Sequence, residues 1–176
     1  MRVSFGGFPG RPQKVRVVSN NLSYGPRPEC GEEIEQRLTI NAEGRVWLSG
    51  YSYRIGGGLI RVRSLQFAID RHTARDLISE MASHLQGKPI DVFVTDVGEW
   101  KLEIVDDEGT IYRSGGPLCP VSDPFFSHMS EKLRAKIRND LFAFDGEQCG
   151  DNSDFHFAPI SKRPRPIPGA ISESDK

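Results

Sequence analysis

The sequence predicts an α+β fold: a mostly antiparallel sheet of about six strands, with two helices packed on one of its faces. Three observations carry that expectation. Residues 37–50 (RLTINAEGRVWLSG) and 101–115 (KLEIVDDEGTIYRSG) each place alternating apolar residues on both sides of a glycine-closed turn, the pattern of a β-hairpin. Two other stretches carry apolar residues at spacings of three and four, the period of a half-buried helix. Each helical stretch follows a group of strands, so neither is an isolated element.

Residues 1–34 form a loop-rich N-terminal segment, punctuated by Gly6, Gly7, Pro9, Gly10, Pro12, Gly25, Pro26, Pro28 and Gly31. One strand is expected inside it, at residues 14–18, with Val15 and Val17 facing one way and Arg16 the other. The α+β core domain is expected over residues 35–146. Its first hairpin sets Leu38 and Ile40 against Val46 and Leu48. Asn41 and Gly44 supply the turn chemistry, one favouring turn starts and the other a left-handed backbone. Tyr51 and Tyr53 continue the alternation past Gly50, which predicts a strand that is long or bulged at that glycine. Gly56, Gly57 and Gly58 interrupt it. In the next strand Ile60 and Val62 share one face, with Arg61 and Arg63 on the other. The phase then slips, and Leu65, Phe67 and Ile69 alternate, which places a bulge near Ser64.

The first helix is capped by Asp70 or Thr73 and carries the stripe Ala74, Leu77, Ile78, Met81, Ala82 and Leu85. Gly87 and Pro89 end it. A compact strand is expected at residues 90–95, then a turn, then the second hairpin opened by Trp100. Phe125 and Phe126 read as buried anchors, because two exposed phenylalanines in a row are costly. The second helix is expected from Ser127 or Ser130 to Leu141, with Met129, Leu133, Ile137 and Leu141 as its stripe. Leu141, Phe142, Ala143 and Phe144 then pack one end of the core. Residues 147–176 are polar and proline-rich, and read as a flexible tail. The two hairpins match loosely, a likeness that turn chemistry alone can produce, with an internal duplication as the alternative. The general pattern resembles that of small bacterial α+β proteins, a resemblance that implies no activity.

Composition narrows the function classes. The formal net charge is −1, so no global field draws the chain to nucleic acid or an anionic membrane, and any electrostatic site is a local patch. No apolar run has the length of a membrane span or of a signal-peptide core. The three cysteines, Cys30, Cys119 and Cys149, are odd in number and far apart, which favours a reducing, cytoplasmic setting. Cysteines and histidines show no ligand spacing, and no nucleophile motif appears, so no catalytic residue, metal or cofactor is expected.

Two segments suit binding. Tyr51, Tyr53, Arg54, Gly56, Gly57, Gly58, Arg61 and Arg63 combine aromatic rings, cations and a permissive backbone, which suits a nucleotide or a short nucleic acid. The same residues also suit a solvated hairpin tip. Lys132, Arg134, Lys136 and Arg138 give the second helix a basic face for an acidic partner, or simply a solvated surface. The acidic residues Asp96, Glu99, Asp106, Asp107 and Glu108 lack an EF-hand order and read as turn chemistry. The tail string KRPRPIP has the composition of proline-rich ligands. Together these features predict a small non-enzymatic binding or regulatory protein working through protein–protein contacts. A nucleotide or nucleic-acid binder and an enzyme whose site assembles only in the fold are the alternatives. Unpaired sheet edges make a homodimer a further expectation.

Overall fold

The computed structural model describes residues 10–22, 28–29, 31–85, 98–118 and 123–146. It contains β1 (Pro12–Asn20), β2 (Glu33–Asn41), β3 (Arg45–Tyr53), β4 (Leu59–Ala68), α1 (Arg71–Leu85), β5 (Glu99–Asp106), β6 (Ile111–Pro117) and α2 (Pro124–Lys136). The strands form one six-stranded sheet in the order β4-β3-β2-β1-β5-β6, and every neighbouring pair is antiparallel. The α+β architecture read from the sequence is therefore present. The strand expected at residues 90–95, the helix stop at Gly87 and Pro89, the three cysteines and the tail lie outside the described residues.

β1 occupies the middle of the sheet, although the sequence around it is loop-like. The reason is its alternation. Val15 stands in register with Ile40 on β2 and Ile104 on β5, and Val17 with Leu38 and Leu102. All six side chains are buried, so β1 joins the two hairpins through two apolar rows.

The turn from β2 to β3 follows the expected chemistry. The Gly44 N–H donates to the Asn41 carbonyl at 2.9 Å, and the Arg45 N–H donates to Asn41 Oδ1 at 2.8 Å. Gly44 has φ +82°, where a side chain would be strained, and a Cβ there would also overlap the Ile69 carbonyl oxygen.

α1 buries Ala74, Leu77, Ile78, Met81 and Ala82 of the stripe that its spacing predicts, and Leu85, its last member, packs partly buried against the core. Asp70 Oδ2 accepts from the Thr73 N–H at 2.9 Å, so Asp70 is the cap. α2 differs from expectation at both ends. It starts at Pro124, because Asp123 caps it by accepting the Phe125 N–H and Pro124 fits the first turn. It ends at Lys136 and not at Leu141, because residues 141–144 turn back and bury all four side chains. Ala143, at φ +47°, makes that reversal.

Both helices and Leu141, Ala143 and Phe144 belong to one hydrophobic cluster with Val15, Val17, Leu38, Ile40, Val46, Leu48, Trp100, Leu102 and Ile104. Those sheet residues share one face by strand alternation. The core therefore lies on one side of the sheet, and the alternate residues of every strand form a second face that no described helix covers.

Candidate functional site

The uncovered face can be read from the register. One row across the sheet runs Ala68, Arg45, Asn41, Lys14, Val105, Ile111. The next is Gln66, Trp47, Thr39, Arg16, Glu103, Arg113. Ser64, Ser49, Arg37, Val18, Lys101 and Gly115 follow, and then Arg61, Tyr51, Glu35, Asn20, Glu99 and Pro117. Seven of these residues are cations and three are carboxylates.

All three carboxylates are already paired. Glu35 meets the Arg37 Nε at 2.6 Å. Glu103 is shared by Arg113 at 2.8 Å and Arg16 at 3.6 Å, and Glu99 meets Lys101 at 2.6 Å. The Arg113 hydrogen bond, with help from the Arg16 charge, holds the Glu103 carboxyl below the usual range against a partial burial that raises it. Lys14, Arg45 and Arg61 have no ion pair among the described residues, so the face carries a positive surplus although the whole chain is nearly neutral.

β3 gives this face its aromatic character. Alternation puts Trp47, Ser49, Tyr51 and Tyr53 on one side, and the three rings are half-buried. The Arg37 guanidinium lies 4.2 Å from the centre of the Tyr51 ring, held there by Glu35. Tyr51, Tyr53 and Arg61 from the proposed ligand segment thus sit on one surface. Sequence reasoning passed over Trp47, Lys14, Arg16, Arg37 and Arg45. Their shared signal was present: each occupies the outward position in an alternating strand.

Arg63 departs from the expected grouping. Register shifts between Gly50 and Tyr51, where Tyr51 pairs Arg61 and Gly50 pairs Arg63, so Val62 is the extra residue of a bulge. The bulge lies two residues before the expected Ser64, and it sends Arg61 and Arg63 to opposite faces. Arg63 joins the helical side, where it pairs with Glu33 at 2.6 Å and with Asp140. Arg54, Gly56, Gly57 and Gly58 form the exposed tip of the β3–β4 hairpin, closed by hydrogen bonds of 3.0 Å between Arg54 and Gly58 and between Gly57 and Arg54. All three glycines have positive φ, and nothing lies within 4 Å of where a Cβ would stand.

The basic residues of the second helix have internal partners. Lys132 pairs with Glu80 on α1, and Arg138, which lies beyond the end of α2, pairs with Asp140 at 2.9 Å. Arg134 clamps the reversal after α2. It donates to the carbonyls of Leu141 at 2.9 Å and Gly146 at 2.6 Å, and it pairs with Asp145. Lys136, exposed like Arg138, has no ion pair among the described residues.

The acidic turn behaves as turn chemistry. Asp106 Oδ1 accepts from the N–H groups of Glu108 at 3.0 Å and Thr110 at 2.7 Å, and Asp107 Oδ1 accepts from the Arg11 N–H at 2.8 Å. Asp96 lies outside the described residues. His84 links the two helices: its ring stacks on Phe125 at 3.7 Å, and its Nε2 lies 2.7 Å from Asp123 Oδ2. Among the described residues no three His, Cys, Asp or Glu side chains converge as a metal site. No helix among them is long and apolar enough to cross a membrane.

No protein family matches the sequence, and neither does any curated protein.

Proposed function

We propose that the protein is a non-enzymatic binding or regulatory protein whose partner docks on the open face of its sheet. One observation carries this reading. The helices and the C-terminal reversal cover one side, while the other presents an aromatic stripe on β3 among seven cations. Rings and arginines are the side chains that contribute most at binding surfaces. The odd cysteine count supports placing the protein in a reducing cytoplasm.

The test compares an Arg45→Glu, Arg61→Glu double variant with a Lys136→Glu control, with partners cross-linked in the native host. Loss of the cross-linked partner in the double variant alone supports the reading. A partner retained by the double variant and lost in the control moves the interaction to α2 and overturns it. So does a hydrolase or transferase activity that one polar substitution abolishes.

A homodimer joined through β4 is a second reading. β4 is an edge strand, and Ile60 and Val62 on it are 40% and 44% exposed. Sedimentation velocity of wild type and Val62→Lys tests it, since a charged edge residue blocks edge pairing.

A further inference from the structure

We infer that the open face is a platform for single-stranded nucleic acid, an inference that rests on the binding-face reading above and specifies its ligand. Charge sets the first constraint. Each carboxylate of the face is neutralised by a neighbouring cation, and Lys14, Arg45 and Arg61 are left over. The complement to that surplus is a polyanion.

Ring geometry sets the second. Alternate side chains on a strand lie about 6.8 Å apart, so Trp47 and Tyr51 are separated by about 14 Å along β3. That leaves room for two splayed bases, the arrangement by which sheets with exposed aromatic residues hold single strands. Arg37 adds to it. Its guanidinium already lies over Tyr51, 4.2 Å from the ring centre, and its outer plane is a second stacking surface.

The positions of cation and ring agree. Arg45 precedes Trp47 on β3, and Arg61 pairs with Tyr51 across to β4, so a cation with no ion pair among the described residues stands beside each of these rings. An acidic protein would use the cations and leave the stripe without a role. A duplex would hide the faces of its bases from the rings.

The test is fluorescence anisotropy with the full chain and labelled DNA and RNA single strands of about 12 nucleotides. Saturable binding is expected, with a log–log salt slope of about −2 for three phosphate contacts, so that affinity falls roughly 20-fold between about 50 and 200 mM salt. Arg61→Ala should flatten the slope by about 0.7. Trp47→Ala should weaken binding at fixed salt by roughly fivefold or more with the slope unchanged. Binding should also quench Trp47 emission, against the constant emission of Trp100, which is 3% exposed in the core.

Circular dichroism checks the folding of both variants, which should be retained because the substitutions lie outside the core. No binding at about 50 mM salt, equal binding of duplex, or indifference to Trp47→Ala overturns the inference. Polyglutamate that competes as well as the oligonucleotide at equal charge also overturns it, but leaves the open face as the binding surface. If Arg61→Ala and Trp47→Ala alter neither oligonucleotide nor polyglutamate binding, the binding-face reading falls as well.

Discussion

Glu33 on β2 occupies the space that a side chain at Gly50 on β3 would need. Gln36, Gly50 and Arg63 stand side by side across three strands. The Glu33 carboxylate folds back over the glycine, and Oε2 accepts from Gln36 Nε2 at 3.0 Å and from Arg63 at 2.6 Å. A Cβ on Gly50 would overlap that carboxylate. Gly50→Ala should therefore displace Glu33 and lower stability by about 1.5 kcal/mol, the scale of lost charge-assisted hydrogen bonds. In a Glu33→Ala background the same substitution should be neutral or slightly stabilising, since alanine is better than glycine within a strand. Urea denaturation of the four proteins closes the cycle. Equal costs in both backgrounds would show that the glycine is required for another reason.

Arg134 should behave as part of the core, despite lying in a basic segment. Its side chain is 10% exposed, and that of its partner Asp145 is 15% exposed. Arg134→Ala strands Asp145 and several carbonyls, and should cost about 3 kcal/mol or more. Arg134→Lys should recover only part of this, because an ammonium cannot reproduce the guanidinium fork. Lys136→Ala should stay within about 0.5 kcal/mol of wild type. Chemical denaturation of the three variants measures the ranking. An Arg134→Ala protein as stable as Lys136→Ala would return this segment to the solvated surface.

These two sites show where the sequence was legible. The α1 stripe and the β2–β3 turn follow from local chemistry, namely a period of three to four residues and an Asn–Gly turn, and both are present as read. The strand at residues 14–18 was also visible, through Val15 and Val17. Its central place was not, because centrality depends on which strands pair with it. Simple alternation groups Arg61 and Arg63, and a bulge at Val62, visible only against β3, separates them. Arg134 has the sequence signature of a surface cation, because the carbonyls it binds follow it by seven to twelve residues and reach it only through the reversal at Ala143. The open face went unassembled for a similar reason. Lys14, Arg37, Arg45 and Arg61 come from four strands and converge only once the order of the sheet is known.

His84 and Asp123 tie the end of α1 to the start of α2, and the two roles of Asp123 can be separated. Its Oδ1 accepts the Phe125 N–H at 2.9 Å as a helix cap, while Oδ2 meets the His84 ring. Asp123→Ala loses both and should cost about 1–2 kcal/mol. Asp123→Asn keeps the cap and should cost less than half as much. His84→Phe keeps a ring against Phe125 and gives up only the polar contact. Thermal unfolding orders the three variants. A larger loss in Asp123→Asn than in Asp123→Ala would show that the cap is not what Asp123 supplies.

Asp140 gives the fold an acid-sensitive tie. It accepts from Arg138 at 2.9 Å and pairs with Arg63, bringing the segment after α2 to the edge of β4. The Arg138 hydrogen bond, followed by the Arg63 interaction, holds its carboxyl below the usual range against a partial burial that raises it. A carboxylate depressed in the folded state stabilises the protein above its unfolded value of about 3.9, and that stability is lost as pH falls through the lower folded value. Asp140→Asn removes the contribution at every pH. The gap between wild type and Asp140→Asn should therefore stay constant from about pH 7 to pH 5 and close below about pH 4. The Asp140 carboxylate is partly solvated, so the gap should be small and should shrink with added salt. Urea midpoints collected across this range decide it. A gap that persists undiminished at the acid end would mean that Asp140 acts through its shape and not through its charge.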